Sequence, residues 1–174
     1  GWRTLMGPTD ATKAGAGTIV MTGVDHTYQG GTFVSNGTLR LVGGNDPLAV
    51  EGEVRVVRGT LDLGGNSQEV QGGVSLYGGS VVNGTINNTG AFGFDVQAGA
   101  IGVNLEGNVG ITKTTGGTAT LTGENGFTGD VTLNAGVLQV VRDENLGAGG
   151  DINFQGGRLG IVGSALSNFN GRGG

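Results

Sequence analysis

Cysteine is absent from this 174-residue chain, and proline occurs only as Pro8 and Pro47. The lack of cysteine excludes a disulfide framework and any metal site built on thiolates. The 41 glycines do not indicate collagen, because a collagen triple helix needs abundant proline and glycine at every third position. Order in this chain must therefore come from packing of its apolar side chains.

Charge is also sparse, since charged residues make up 13% of the chain and the net charge is −5. No basic stripe is present, so we expect no nucleic-acid partner. No apolar run approaches the roughly 18 residues of a membrane helix, so we expect no direct membrane insertion by this segment. The opening GWRTLMGPTD lacks the basic-then-apolar order of a signal peptide, and we expect the chain to be cut from something longer.

A glycine followed by alternating apolar residues recurs at intervals of 18 to 22 residues, with a mean of 20. The eight glycines are Gly17, Gly37, Gly59, Gly79, Gly99, Gly117, Gly136 and Gly157. A fixed period near 20 is typical of a solenoid, and the alternation argues against the disorder that a glycine-rich, weakly charged chain would otherwise suggest. The similarity of KAGAGTIVMTG (13–23) to KTTGGTATLTG (113–123) then reflects five coils of one spiral and not a duplicated domain.

The repeated unit is Φ-x-Φ-x-x-G-x-Φ-x-Φ, where Φ is apolar, and it predicts two short strands joined at a glycine corner. Asn-Gly at 36–37 and 83–84 would also suit hairpin turns, but a corner that returns in the same phase favours a coil. We predict an all-β, right-handed parallel β-helix of about eight coils of roughly 20 residues each. It forms a single domain over residues 1–174, with irregular or weakly ordered ends at 1–12 and 164–174. One outward column is expected to contain Val20, Arg40, Asp62, Val82, Gly102, Thr120, Gln139 and Gly160.

Two stretches resemble a known family. Residues 17–41, from GTIVMTG through YQGGT to NGTLRL, and residues 113–140 look like the autotransporter-associated β-strand repeat. Together with the coils between them, the resemblance covers roughly residues 13 to 163. It implies a right-handed β-helical passenger segment, exported to the surface of a Gram-negative bacterium by a membrane β-barrel that this sequence does not supply.

Candidate sites are few. His26 lies beside Asp25 and near Ser35, but no nucleophile-elbow pattern surrounds any serine, so we expect no catalytic residue. Asn45, Asp46, Glu51 and Glu53 gather oxygen atoms that calcium could use, although the Gly-Gly-x-Gly-x-Asp repeat is not completed and a polar loop is the default interpretation. The outward column has no paired acids, which argues against a polysaccharide-cleaving enzyme. We expect no cofactor and no metal.

Two further sets of residues have a simple alternative explanation. Glycosylation-type triplets at Asn36, Asn83 and Asn87 arise readily in a chain rich in Gly, Asn and Thr. The aromatic residues Trp2, Tyr28, Tyr77 and Phe92 could contribute to a sugar-binding or partner surface, but they do not share a phase of the repeat, which favours scattered packing.

The sequence thus predicts a non-enzymatic stalk or scaffold segment of a secreted or surface-displayed passenger. An adhesin or self-associating filament subunit, joined end to end, is the alternative, and a carbohydrate-active enzyme is a distant one. Expected partners are adjoining coils, further copies of the chain, or a host-surface or carbohydrate ligand that the sequence does not identify.

Overall fold

A computed structural model describes residues 6–23 and 26–169 as short parallel strands wound into eight stacked coils. Each coil gives one strand to a first sheet and one to a second. From coil 1 to coil 8 the first sheet holds Ala11–Lys13, Thr32–Val34, Val54–Val56, Val74–Leu76, Phe94–Val96, Ile111–Lys113, Val131–Leu133 and Ile152–Phe154. The second sheet holds Thr18–Thr22, Thr38–Val42, Thr60–Asp62, Ser80–Val82, Gly99–Ile101, Thr118–Leu121, Val137–Arg142 and Arg158–Ala165. Strand order in both sheets follows the chain, which confirms the predicted all-β solenoid of about eight coils; its right-handed winding stays a prediction.

Three smaller elements complete the described structure. A third sheet joins Ser67–Val70, Thr85–Asn88 and Asn104–Gly107 on coils 3 to 5, and Met6–Gly7 pairs with Thr27–Tyr28. A 3-10 helix spans Asp143–Leu146. No helix within residues 6–23 and 26–169 is long and apolar enough to cross a membrane. The segments that we expected to be irregular contain Met6–Gly7, part of Ala11–Lys13 and the last residues of Arg158–Ala165, while 1–5 and 170–174 lie outside the described residues.

The core is a set of apolar columns that run along the stack. In the second sheet Leu39 pairs with Leu61, Leu61 with Val81, and Val81 with Ile101, as expected from the sequence. These side chains are buried, and Leu61 is 0% exposed. Because strands put alternate side chains on opposite faces, the residues between them point outward, as Arg40 and Asp62 do. Each coil can bury its apolar residues only against its neighbours, so stability is shared along the stack.

Glycine is required at the corner between the first and second sheets in coils 2 to 5. Gly79 has φ +75°, and a Cβ built on it would lie 2.2 Å from the carbonyl oxygen of Gly59 in the coil below. That same carbonyl accepts a hydrogen bond of 2.8 Å from the backbone N–H of Ser80. A side chain at this corner would therefore push apart two coils that are joined by backbone hydrogen bonds.

One detail of the predicted register is wrong. Thr120 pairs with Ala100 and not with Gly102, so the expected outward column shifts by two residues between coils 5 and 6. The corner of coil 6 is three residues longer than that of coil 5, which the spacing of glycines does not reveal. A shift of two residues leaves every side chain on the same face, so the inward and outward assignments are unaffected.

A buried lysine stands in the core where the corner is long. Lys13 and Lys113 end the first-sheet strands of coils 1 and 6, at positions that are apolar in the other coils, and both are buried. The Lys13 ammonium donates to the carbonyl oxygens of Ala14 (3.0 Å), Gly15 (2.7 Å) and Asn36 (3.0 Å). Lys113 donates in the same way to the carbonyl of Thr115, and its burial lowers its pKa.

Amide side chains extend the backbone ladder beyond the third sheet. Buried Gln68 accepts from the N–H of Leu48 (2.9 Å) and donates to the carbonyl of the same residue (3.3 Å). Asn125 accepts from the N–H of Leu105 (2.9 Å) and donates to the carbonyl of Asn145 (2.6 Å). These side chains satisfy buried backbone groups where the neighbouring coil has no strand to offer.

The 3-10 helix anchors the segment after the last strand. The carboxylate of Asp143 accepts hydrogen bonds from the hydroxyl of Ser167 (2.6 Å) and from the backbone N–H groups of Ser167, Asn168 and Phe169. The Ser167 hydroxyl contributes most to lowering the pKa of Asp143, because these donors stabilise the charged form.

We expect Asp143→Asn to destabilise the protein most at neutral pH. A carboxyl group whose pKa is lowered by folding adds stability above its unfolded value of about 3.9, and that stability is lost as the pH falls through the folded value. Urea unfolding of both proteins from pH 7 to pH 3 should therefore show a difference that shrinks on acidification below about pH 4. Asp151→Asn, which changes an exposed carboxylate, is the control. A difference that is constant over this range would show that the carboxylate charge does not hold the segment.

Candidate functional site

The outward face of the first sheet carries the most varied side chains of the described structure. Its central column, fixed by strand pairing, runs through Thr12, Phe33, Arg55, Ser75, Asp95, Thr112, Thr132 and Asn153. Successive members are about 4.8 Å apart along the stack. Aromatic, charged and hydroxyl groups thus lie side by side on this face.

An open groove of about 420 Å³ lies on this face over coils 3 to 6. We call it the first-sheet groove, and it is lined by Glu53, Gly72, Gly73, Val74, Ser75, Phe92, Gly93, Phe94, Asp95 and Thr112. Phe92 is 68% exposed, whereas Phe94 is buried and belongs to the core. The volume lies within the range of small-molecule sites.

At the coil 3 end of the groove, which we call its lower end, Glu53 forms an ion pair with Arg55. The guanidinium of Arg55 is close to two aromatic rings. Arg55 donates to both carboxylate oxygens of Glu53, with its Nη2 at 2.7 Å, and this hydrogen bonding raises the pKa of Arg55. The guanidinium lies 5.3 Å from the ring centre of Phe33 and 5.5 Å from that of Tyr77. These contacts fix the ion pair at the surface, where an unsupported pair would contribute little.

Both carboxylates of the groove are oriented by hydrogen bonds from nearby side chains. Glu53 Oε1 accepts from the hydroxyl of Ser75 (2.6 Å), and Asp95 accepts from the hydroxyl of Thr114 (2.8 Å) and the amide of Gln97 (2.9 Å). A carboxylate has about four lone-pair positions, so each can accept further hydrogen bonds from a ligand. The groove therefore offers fixed acceptors beside an exposed aromatic ring.

The structure does not bring the residues considered for catalysis into the groove. His26 is buried, and Asp25 lies outside the described residues. Ser35 donates its hydroxyl to the carbonyl of Lys13. No histidine lines the first-sheet groove in the described part of the chain, so Ser75 there has no imidazole base.

The oxygen ligands considered for calcium are used in coil stacking. Asn45 accepts from the N–H of Ser67 (3.0 Å), and Asp46 accepts from the N–H of Glu69 (2.6 Å). Glu53 is paired with Arg55, and Glu51 is exposed. Within residues 6–23 and 26–169, no three His, Cys, Asp or Glu side chains are placed to share a metal ion.

The remaining candidate residues separate into surface and core. Tyr28 is buried, with its hydroxyl 2.5 Å from that of Thr32, and burial raises its pKa. Tyr77 is 39% exposed and stands beside Arg55, while Trp2 lies outside the described residues. In the Asn-x-Thr triplets, the side chain of Asn36 accepts a hydrogen bond from the N–H of Gly37, and the side chain of Asn83 donates to Asp62. Asn87 lies in the third sheet.

The groove lies on the first sheet, whereas the outward column predicted from the sequence lies on the second sheet. The first-sheet column was accessible from the same repeat, since Arg55, Ser75 and Asp95 are spaced by 20 residues between the two apolar positions of each strand. Phe92 was among the aromatic residues considered for a sugar-binding or partner surface, but it stands in a connection outside the repeated unit, so the repeat does not place it beside Ser75 and Asp95.

The fold is a parallel β-solenoid. In two of its coils, 1 and 6, the corner is long and is supported by a buried lysine. Comparison with known families places these coils in context, because residues 12–41 and 111–140 match the family described as passenger-associated-transport-repeat. The chain is also 33% identical over 115 residues, or 66% of its length, to the "Adhesin BmaC autotransporter" of Brucella suis biovar 1 (strain 1330). It spans only 3% of the length of that protein. No solved structure shows significant similarity.

These matches and the solenoid fit an autotransporter passenger with β-strand repeats, which confirms the resemblance seen in the sequence. The two matched segments coincide with the two stretches that carried it, at 17–41 and 113–140. Both matches are described by transport or adhesion and neither by a chemical reaction.

Proposed function

We propose that this chain is a stalk or scaffold segment of a passenger displayed on the surface of a Gram-negative bacterium, where it supports secretion, folding and display. The observation that carries the proposal is the unbroken stacking of eight coils by parallel backbone pairing in two sheets. Corner glycines, buried lysines and amide side chains all serve this stacking. A rod of this kind grows by about 4.8 Å per coil and carries other parts of a protein away from the membrane.

Deleting one whole coil from the intact passenger tests this role. Residues 74–93 form one period, and their removal joins Gly73 to Phe94, which pairs at the same position as Val74. We expect surface display and protease resistance to persist. Deletion of only residues 84–93 leaves half a coil without partners, and we expect both properties to be lost. Equal loss of display in both variants would contradict a modular scaffold, and loss of host-cell binding with normal display would favour a specific recognition role.

A further inference from the structure

We propose that the first-sheet groove is a binding site for an extended, uncharged oligosaccharide that lies along the stack across coils 3 to 6. The site consists of the ring of Phe92, the carboxylates of Glu53 and Asp95, and the hydroxyls of Ser75 and Thr112. This goes beyond a stalk role, because it gives one face of the solenoid a ligand.

The ring of Phe92 is placed as a platform. It is the most exposed of the large apolar side chains in the described chain, although it stands in the middle of the stack and not at its open end. Buried Asn88 donates to the carbonyl of Phe92 (2.7 Å) and accepts from the N–H of Gly90 (3.1 Å), which holds the connection in place. An exposed ring on an anchored stretch of backbone offers apolar contact to the C–H faces of a sugar ring.

The polar groups of the groove offer fixed acceptors to hydroxyl donors. Glu53 is already neutralised by Arg55, so the lower end of the groove has little net charge to attract a basic ligand. Glu53 and Asp95 are held by Ser75, Thr114 and Gln97, and their remaining lone pairs accept from donors in the groove. A few fixed polar groups beside an apolar surface are what orient a neutral ligand.

The shape of the groove suits a linear ligand. It is open along its length and extends over adjacent coils, whose spacing of about 4.8 Å is comparable to the length of one hexose unit. Glycines 72, 73 and 93 are among the residues that line it. Successive sugar rings could therefore meet successive coils, and the ligand would gain contacts with each unit added.

Calorimetric titration of the purified chain with cellohexaose and with chitohexaose, up to about 10 mM, tests the proposal, since a shallow open groove is expected to bind weakly. We expect saturable binding to at least one of them. Phe92→Ala should weaken it at least tenfold, Phe92→Trp should retain it, and Asp95→Asn should weaken it several-fold. All variants should unfold at the temperature of the wild type, because Phe92 and Asp95 lie outside the core.

The matched control is Phe154→Ala, which removes a similarly exposed ring at the end of the stack and should leave binding unchanged. Absence of binding to both sugars would overturn the proposal, as would equal binding by Phe92→Ala and the wild type. Binding of hexaarginine in place of the sugars, abolished by Asp95→Asn, would also overturn it and identify a surface for basic peptides.

Discussion

Replacing Leu61 with aspartate is expected to weaken the stack at coil 3, so that the coils before it and the coils after it are only weakly joined. Leu61 is fully buried and stacks between Leu39 and Val81 in coils 2 and 4. The variant places an unpaired charge in an apolar column and removes a packed side chain, so we expect a loss of roughly 4 kcal/mol or more. Because each coil is stabilised by its neighbours, the variant should lower the local stability of coil 3 as well as the free energy of unfolding of the whole chain. Chemical unfolding should show it, and limited proteolysis should cut first near coil 3.

The control for this prediction is the adjacent residue. Asp62 points outward, accepts from the N–H of Gly64 (3.0 Å) and from Asn83 (3.0 Å), and lies 3.6 Å from Arg40. Asp62→Leu loses these partly solvated contacts and should cost only about 1 kcal/mol. Greater damage from Asp62→Leu than from Leu61→Asp would mean that the inward and outward faces of the second sheet are reversed.

Replacing Gly79 with alanine is expected to have the second largest effect. The new Cβ would lie 2.2 Å from the carbonyl oxygen of Gly59 and 2.8 Å from its nitrogen, and both are backbone atoms that cannot rotate away. The positive φ adds its own strain of about 1–2 kcal/mol, and the overlap adds about 1–3 kcal/mol. We expect a total of about 2–5 kcal/mol in thermal or urea unfolding, and weaker protection of the Ser80 amide from hydrogen exchange.

Gly65 separates the two contributions to this effect. It has φ +86°, similar to Gly79, but a Cβ built on it would have no heavy atom within 4 Å. Gly65→Ala should therefore cost only the backbone strain, about 1–2 kcal/mol. Equal losses at Gly79 and Gly65 would show that close approach of coils does not determine the choice of glycine at the corner.

Most of the fold was accessible from the sequence because the solenoid repeats one local rule. Alternation fixed the inward residues Leu39, Leu61, Val81 and Ile101, and a corner glycine at each period fixed the coil. The register between coils 5 and 6 was not accessible, since extra corner residues change the phase without changing the pattern of faces. Glycine spacing reports the length of a period, whereas strand pairing depends on how that length is divided.

The first-sheet groove was harder to predict for a different physical reason. Its members come from four coils and from connections outside the repeated unit, and only stacking brings Glu53, Phe92 and Asp95 together. Arg55 between Phe33 and Tyr77 likewise depends on residues about 22 positions apart. The calcium hypothesis depended on closeness in sequence, but Asn45 and Asp46 use their oxygens to hold the next coil.

The buried lysines bear on a hazard that is specific to repetitive chains, namely slippage by one whole coil. Apolar columns of similar residues tolerate such a slip, because valine and leucine fit each other's places. An ammonium group does not, since in a neighbouring coil with a short corner it would be buried without the carbonyls that Lys13 finds at Gly15 and Asn36. Lys13 and Lys113 thus favour the native register at coils 1 and 6, because a slip by one coil would separate each ammonium group from the carbonyl oxygens that accept its hydrogen bonds.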